Sequence, residues 1–392
     1  MVAALAVHLR DLDLAEDAFA EAMAKCLELS ETPRNVAGWL LTAAKRKAVD
    51  AIRRREAEAR AVAGSLVVAE HADDMAEILK LSEPIADERL RLIFICCHPA
   101  IALEARAALA LKVICGLPVK EIARVFVTSQ QTMFQRITRA KAKVQAAGIA
   151  FELPPRKAWG ERLEAVLLTL ELAYTAAFQD AAGERDEGLS SEVERLARMV
   201  AELLPEEPEA LGLTALILLA RSRERARVDG DGAMVPLSLQ DTKKWDYPAI
   251  EQARRWMDSA AAQGTTGPYQ IMAAIQLTHA RRGFDAETDW AAIAALYDAL
   301  IVMRPGAMTA INRALALAKV QGAARGLKEL AGMDAEALQN ARPFYVARGE
   351  LLAQLGQNEA AAQALDRAIA LDPARAERLF LEAKRRAVLR KT

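Results

Sequence analysis

The sequence predicts an all-α protein. Alanine and other strong helix formers run through the whole chain, while aromatic residues make up only 5% of it. Apolar residues recur every three to four positions, the helical period, and no segment of any strength alternates as a strand does. Glycine and proline number only 19 and 14, and they fall at breaks between the periodic stretches.

At 392 residues, 53% hydrophobic and 27% charged, the chain is long enough for two or three domains and too apolar to be disordered. The longest apolar run, Leu211 to Ala220, is about half of what spans a bilayer. The N-terminus has no cationic region followed by an apolar stretch, so no secretory signal and no membrane partner are expected. The four cysteines (Cys26, Cys96, Cys97, Cys115) include no C-x-x-C pair, and they read as reduced, packed thiols of a cytoplasmic protein. Cys96, Cys97 and His98 lack a second ligand pair, and His8, His71, His98 and His279 are scattered. No metal, no cofactor and no enzymatic site is expected.

The elements follow in order. Leu12 to Leu29 reads as one helix that Asp13 can cap, with Glu16 and Asp17 suiting its positive end. Pro33 and Asn35 break the pattern, and a second helix runs from about Asn35 to Arg60, its apolar positions Val36, Leu40, Ala44, Ala48 and Ile52 recurring every four residues. Residues 61–86 are an acidic linker that could hold a short helix at Asp74 to Leu81. Residues 87–150 form a second block: helices over Glu88 to Cys97, Leu103 to Cys115, Val119 to Phe126 and Ser129 to Ala147. Pro154-Pro155 reads as a stiff boundary before residues 151–392, whose regular breaks suggest helix pairs of tetratricopeptide length. The clearest unit is Arg342 to Pro373, with Gly349 at the small position of its first helix and Ala361, Leu365 and Ala368 on its second. Trp290 to Pro305 resembles another second helix. Asp229 and Asp231, in a glycine-rich loop, read as a tight turn, and Trp245, Trp256 and Trp290 as inter-helix packing.

The net charge of −1 hides two basic islands. Residues 34–60 carry eight Lys/Arg against three acids, and residues 119–145 carry six against one. Two such islands in an otherwise acidic chain suit phosphate contacts at two places. The second island has a helix-turn-helix pattern. Ser129 can cap its second helix, Thr132 falls in the first turn, Met133, Ile137, Ala140 and Val144 form an inward stripe, and Gln130, Gln131, Gln135, Arg136, Arg139, Lys141 and Lys143 are expected on the solvent face. Glutamine and arginine can read base edges in the major groove while rear cations grip phosphates. In the first island, Trp39 beside Lys45, Arg46, Arg53 and Arg54 could stack an unpaired base; it could equally be a core residue of an amphipathic helix.

Taken together, the segments Asp13 to Asp17 and Gly38 to Arg54 resemble region 2 of an extracytoplasmic-function sigma factor, and Glu121 to Lys141 resembles its region 4. Asp87 to Ala100, with Ala226 to Gly232, Gln240-Asp241 and Trp245-Asp246, is similar to the subgroup whose sigma core is fused to a C-terminal tetratricopeptide-like extension. The resemblance implies a cytoplasmic promoter-specificity subunit with core RNA polymerase and promoter DNA as partners, and a protein or peptide ligand for the extension. Residues 1–60 would then be region 2, with Asp13, Glu16, Asp17 and Glu21 facing polymerase and Asn35, Trp39, Lys45, Arg46, Arg53 and Arg54 holding the melted −10 strand. Residues 87–150 would be region 4, its eight recognition-helix residues named above reading the −35 duplex. Three features depart from the pattern: only Met1 to Leu9 precede the Leu12 helix, so the first helix is expected short or missing; Ala20 stands where glutamine is common; and Val127 replaces a turn glycine. Two other readings remain: a helix-turn-helix regulator acting without polymerase, and a repeat scaffold that binds no nucleic acid.

Overall fold

A computed structural model describes residues 1–29, 31–63, 86–126, 128–149, 155–180, 187–284, 287–333 and 338–390. Among the described residues the regular structure is helical, apart from one isolated antiparallel bridge, Val228 to Met234. The chain divides into two compact units, Met1–Ala176 and Ala177–Thr392.

In the first unit, α1 (Val2–Leu9) is present as a short helix, and it ends on Arg10 in the left-handed conformation (φ 52°). α2 (Leu12–Leu27) is capped by Asp11 rather than Asp13, because the Asp11 carboxylate accepts from the amides of Asp13 and Leu14 (both 3.0 Å). Two residues nearer the start, it reaches the two orphan amides that Asp13 itself cannot. α3 (Val36–Ala63) packs along α2. The linker expected at 61–86, with its short helix at 74–81, lies outside the described residues except at its ends. α4 (Ala86–Cys96) packs on both α1 and α5 (Leu103–Val113), so α1 joins the first two helices to the block that follows. α6 (Val119–Val125) and α7 (Gln130–Ala146) close that block. Val127 and Pro154 lie outside the described residues. α8 (Gly160–Asp180) begins in this unit, where Trp159 stacks on Phe94 at 5.0 Å and Arg162 donates to the Phe94 carbonyl at 2.8 Å. Cys96 and Cys97 sit in this core with no exposure, and Thr169 is 4.0 Å from the Cys97 sulfur.

The second unit is a succession of helices, each packed on the next. They are α9 (Glu187–Leu203), α10 (Pro208–Arg221), α11 (Tyr247–Ala261), α12 (Pro268–Ala280), α13 (Trp290–Met303), α14 (Ala307–Gln321), α15 (Ala323–Ala331), α16 (Arg342–Gln354), α17 (Asn358–Ala370) and α18 (Arg375–Leu389). Gly188 lies inside α9. Between Arg342 and Pro373 the chain forms two helices, α16 and α17, packed on each other. A methyl on Gly349 would meet Leu365 at 3.0 Å and the Ala361 carbonyl at 3.3 Å, so the small residue sets how closely α16 approaches α17. The Trp290 helix packs between α12 and α14.

Between α10 and α11 runs an irregular segment, 222–246, with three short 3-10 turns. The Asp229 carboxylate accepts from the amides of Asp231 and Ala233, closing the glycine-rich turn, and Met234 donates to the Ala376 carbonyl at the start of α18. Trp245 is buried at 4% exposure, with Trp256 packed beside its cluster.

Close packing in this unit also depends on Gly326. A methyl there would come within 2.6 Å of the Ala318 side chain and 2.7 Å of the Ala314 carbonyl, which is helix backbone and cannot swing aside. Gly326→Ala is therefore expected to cost about 1–3 kcal/mol, read as a lower denaturant midpoint for the second unit.

Candidate nucleic-acid interface

α7 is built by its own sequence. The Ser129 hydroxyl accepts from the Thr132 amide at 3.1 Å, and Met133, Ile137, Ala140 and Val144 are all buried. α6 buttresses it through Ile122 and Ala123, and the turn between them closes with Thr128 donating to the Ala123 carbonyl at 2.9 Å. Opposite the stripe, Gln130, Gln131, Thr132, Gln135, Arg139 and Lys143 are exposed, and α7 contains no acidic residue.

Two of the eight recognition-helix residues are placed differently. Lys141 is not on the open face: its side chain is 13% exposed, and its ammonium bridges Asp13 at 2.7 Å and Glu16 at 2.8 Å on α2. Position 141 follows Ala140 on the flank of the buried stripe, where a long side chain can cross to the neighbouring helix. Burial works against its charge, but the hydrogen bonds it donates to Asp13 and Glu16, with their charges, outweigh it and lift the Lys141 pKa above its ordinary value. Arg136 is half-buried, pairs with Glu104 of α5 at 2.9 Å, and lies over the Phe126 ring at 5.9 Å.

The same face holds a residue that pattern reading passed over. Phe134 is 61% exposed among the glutamines, one position after buried Met133. An aromatic one step off an apolar stripe was the signal. Such a side chain suits the thymine methyl in the major groove.

The other island surrounds a cavity of ≈ 460 Å³ between α2 and α3, lined among others by Lys25, Trp39, Thr42, Arg46 and Lys47. Its geometry begins at Asn35, whose carboxamide accepts from the Gly38 amide at 2.9 Å and opens α3. Trp39, Thr42 and Arg46 then recur at three and four residues, so one helical face carries the cavity wall. Arg53 and Arg54 are exposed further along. Lys45, expected with the solvent-facing cations, is instead buried at 7% exposure, four residues beyond buried Leu41, and burial lowers its pKa. Of the four acids on α2, Asp13 and Glu16 hold Lys141, Glu21 pairs with Lys47 at 2.8 Å, and Asp17 is exposed. The hydrogen bond and charge of Lys47 hold the Glu21 carboxyl below the usual range.

Residues 91–144, from α4 through α7, match the family model for sigma-70, region 4, and residues 162–261 match a family of unknown function (DUF6596). An uncharacterized protein of Rhizobium meliloti (strain 1021) is 40% identical over 379 residues, which are 94% of this chain and 88% of that protein. The chain belongs to one family with that protein, and it carries a sigma-70 region 4 domain. Region 4 supports a sigma-70 family factor, with a sigma-factor-like DNA-binding role for the helix-turn-helix. No solved structure matches the chain. Among the described residues no helix is long and apolar enough to cross a membrane.

The Lys141 bridge has a measurable consequence. Lys141→Met leaves the two neighbouring α2 carboxylates, Asp13 and Glu16, without their cation, and the loss is expected at about 1–3 kcal/mol, because Asp13 stays half-exposed to solvent. Hydrogen exchange of α2 amides should accelerate accordingly. Because the folded pKa is raised, the difference between wild type and variant is fully present below the ordinary lysine value of 10.5 and disappears as pH climbs through the raised one. A difference that stays constant across that range would deny the bridge its role.

Proposed function

We propose that the chain is a promoter-specificity subunit of RNA polymerase, of the extracytoplasmic-function type, with a C-terminal tetratricopeptide-like extension that tunes its activity. The observation that carries this reading is the acid-free, exposed face of α7 within a region 4 match: Gln130, Gln131, Thr132, Gln135 and Arg139, with Lys143 behind. Its N-terminal half would enter the major groove of the −35 element while the rear cations grip phosphates.

The cavity beside Trp39 supports the second half of the reading. Melting a promoter costs about 1.4 kcal/mol for each base step that unstacks. A cleft with an aromatic wall and the cations Lys25, Arg46 and Lys47 around it is suited to hold one unstacked base and its phosphate, offsetting part of that cost. Asn35, Arg53 and Arg54 would extend the grip along the strand. Asp17, with Asp13, Glu16 and Glu21, would meet core polymerase; the last three are engaged by Lys141 and Lys47 in the free chain, so docking on polymerase would exchange one set of ion pairs for another. A protein or peptide is the proposed partner of the extension.

Reconstitution tests the reading. The full chain, mixed with core polymerase and a promoter library, is expected to yield transcripts with defined start sites. Binding to duplex operators without such transcripts would favour a helix-turn-helix regulator that acts without polymerase. Binding to neither would favour a repeat scaffold. Arg139→Ala is expected to weaken duplex binding several-fold, with a shallower salt dependence. Trp39→Ala is expected to leave duplex binding intact and to reduce open-complex formation, followed by permanganate reactivity of the melted thymines.

A further inference from the structure

The second unit contains a cavity that the promoter-binding reading does not use. It measures ≈ 240 Å³ and lies where the 222–246 segment crosses α12, α13 and α14. Its apolar walls come from Trp290, Ile293, Tyr297 and Leu315, and Asn312 and Ser238 supply polar atoms. Arg282 and Lys319 converge on it, and among the described residues no carboxylate lines it.

The two cations at the cavity differ from several arginines of the unit. Arg254, Arg313, Arg325, Arg342 and Arg385 each pair with an aspartate or glutamate. Arg282 instead donates to two neutral carbonyls, those of Leu237 at 2.6 Å and Gln240 at 2.8 Å, and lies 5.7 Å from the Trp245 ring. Those bonds fix the guanidinium without cancelling its charge. Lys319 has its ammonium 5.7 Å from the Trp290 ring, which also leaves its charge uncompensated. His279 stands edge-on to Trp290 at 5.3 Å; burial and then Arg223 and Arg282 hold its pKa at about 4, so it adds no charge at neutral pH. Tyr297, largely buried and hydrogen-bonded to Asn312, stays a neutral phenol, its pKa raised by burial to about 12.

We infer that this cavity binds a small aromatic carboxylate, its ring against Tyr297, Ile293 and Leu315 and its anionic end taken by Arg282 and Lys319. Size sets the class. The cavity exceeds the roughly 150 Å³ that holds benzene, and it falls below the range for drug-sized or nucleotide ligands, about 300–1,000 Å³. One or two fused rings with a short acid therefore fit. An apolar lining with a few convergent polar groups is the usual form of such a site, and two uncompensated cations at one end fix which end of the ligand is charged. A neutral ring would leave both cations without a partner, and a compact inorganic anion would leave the apolar walls unfilled.

Calorimetry on the full-length chain, without polymerase or DNA, tests this. Benzoate, 1-naphthoate and indole-3-acetate are the probes, and 2-naphthol and inorganic phosphate the controls. At least one of the three carboxylates is expected to bind with a dissociation constant below about 1 mM, and 2-naphthol and phosphate at least about tenfold more weakly. Lys319→Met, at an exposed position, and Arg282→Met are each expected to lower carboxylate affinity about tenfold or more. Lys319→Met keeps the test valid should Arg282→Met loosen the 222–246 segment. No binding by any of the three carboxylates up to that concentration overturns the inference. So does equal binding of 2-naphthol or phosphate, or unchanged affinity in a folded Lys319→Met chain.

Discussion

One cation joins two helices that are far apart in sequence. Lys141 on α7 reaches Asp13 and Glu16 on α2, more than a hundred residues earlier in the chain. A single lysine shared by two carboxylates satisfies two of its three donors in a part-buried setting. Desolvation of such a cluster offsets much of its attraction, so its net contribution to stability is modest. Its value is directional: it fixes which face of α7 turns inward, and so which face is left to solvent. The exposed row from Gln130 to Lys143 lies opposite the buried stripe, and the bridge holds the same orientation.

The arrangement puts the acids of α2 and the cations of α7 and α3 in mutual use within the free chain. Glu21 with Lys47 and Glu104 with Arg136 repeat the pattern on a smaller scale. These pairs are more exposed than the Lys141 bridge and are correspondingly weaker and more sensitive to salt. Part of the basic charge of this unit is thereby neutralised by its own acids, while Arg139 and Lys143 stay exposed.

Much of this was readable from residue order, and what was not has a common cause. The stripe Met133, Ile137, Ala140 and Val144 and the Ser129 cap are local, and period and cap chemistry revealed them. The helix pair around Gly349 was visible for the same reason. The shift of the α2 cap from Asp13 to Asp11 was a matter of two residues between equally good caps. Lys45 and Lys141 were misjudged because a charged residue at the margin of an apolar face can turn either way, and the partner that decides lies far along the chain. Phe134 was hidden by the opposite habit, since an aromatic in a helix reads as core until the backbone shows it facing out. The cavity between Arg282 and Lys319 joins four separate segments, and no spacing rule connects them.

The adjacent thiols of α4 bear on how a signal could enter this molecule. Cys96 and Cys97 have no exposure, burial pushes both pKa values up, and that of Cys97 reaches about 12. Burial thus disfavours the thiolate of both residues at neutral pH. Peroxide attack and disulfide exchange both require thiolate and access, so this pair is chemically silent in the folded chain. An oxidative stimulus would have to register at the half-exposed Cys26 or Cys115, or upstream of the protein altogether.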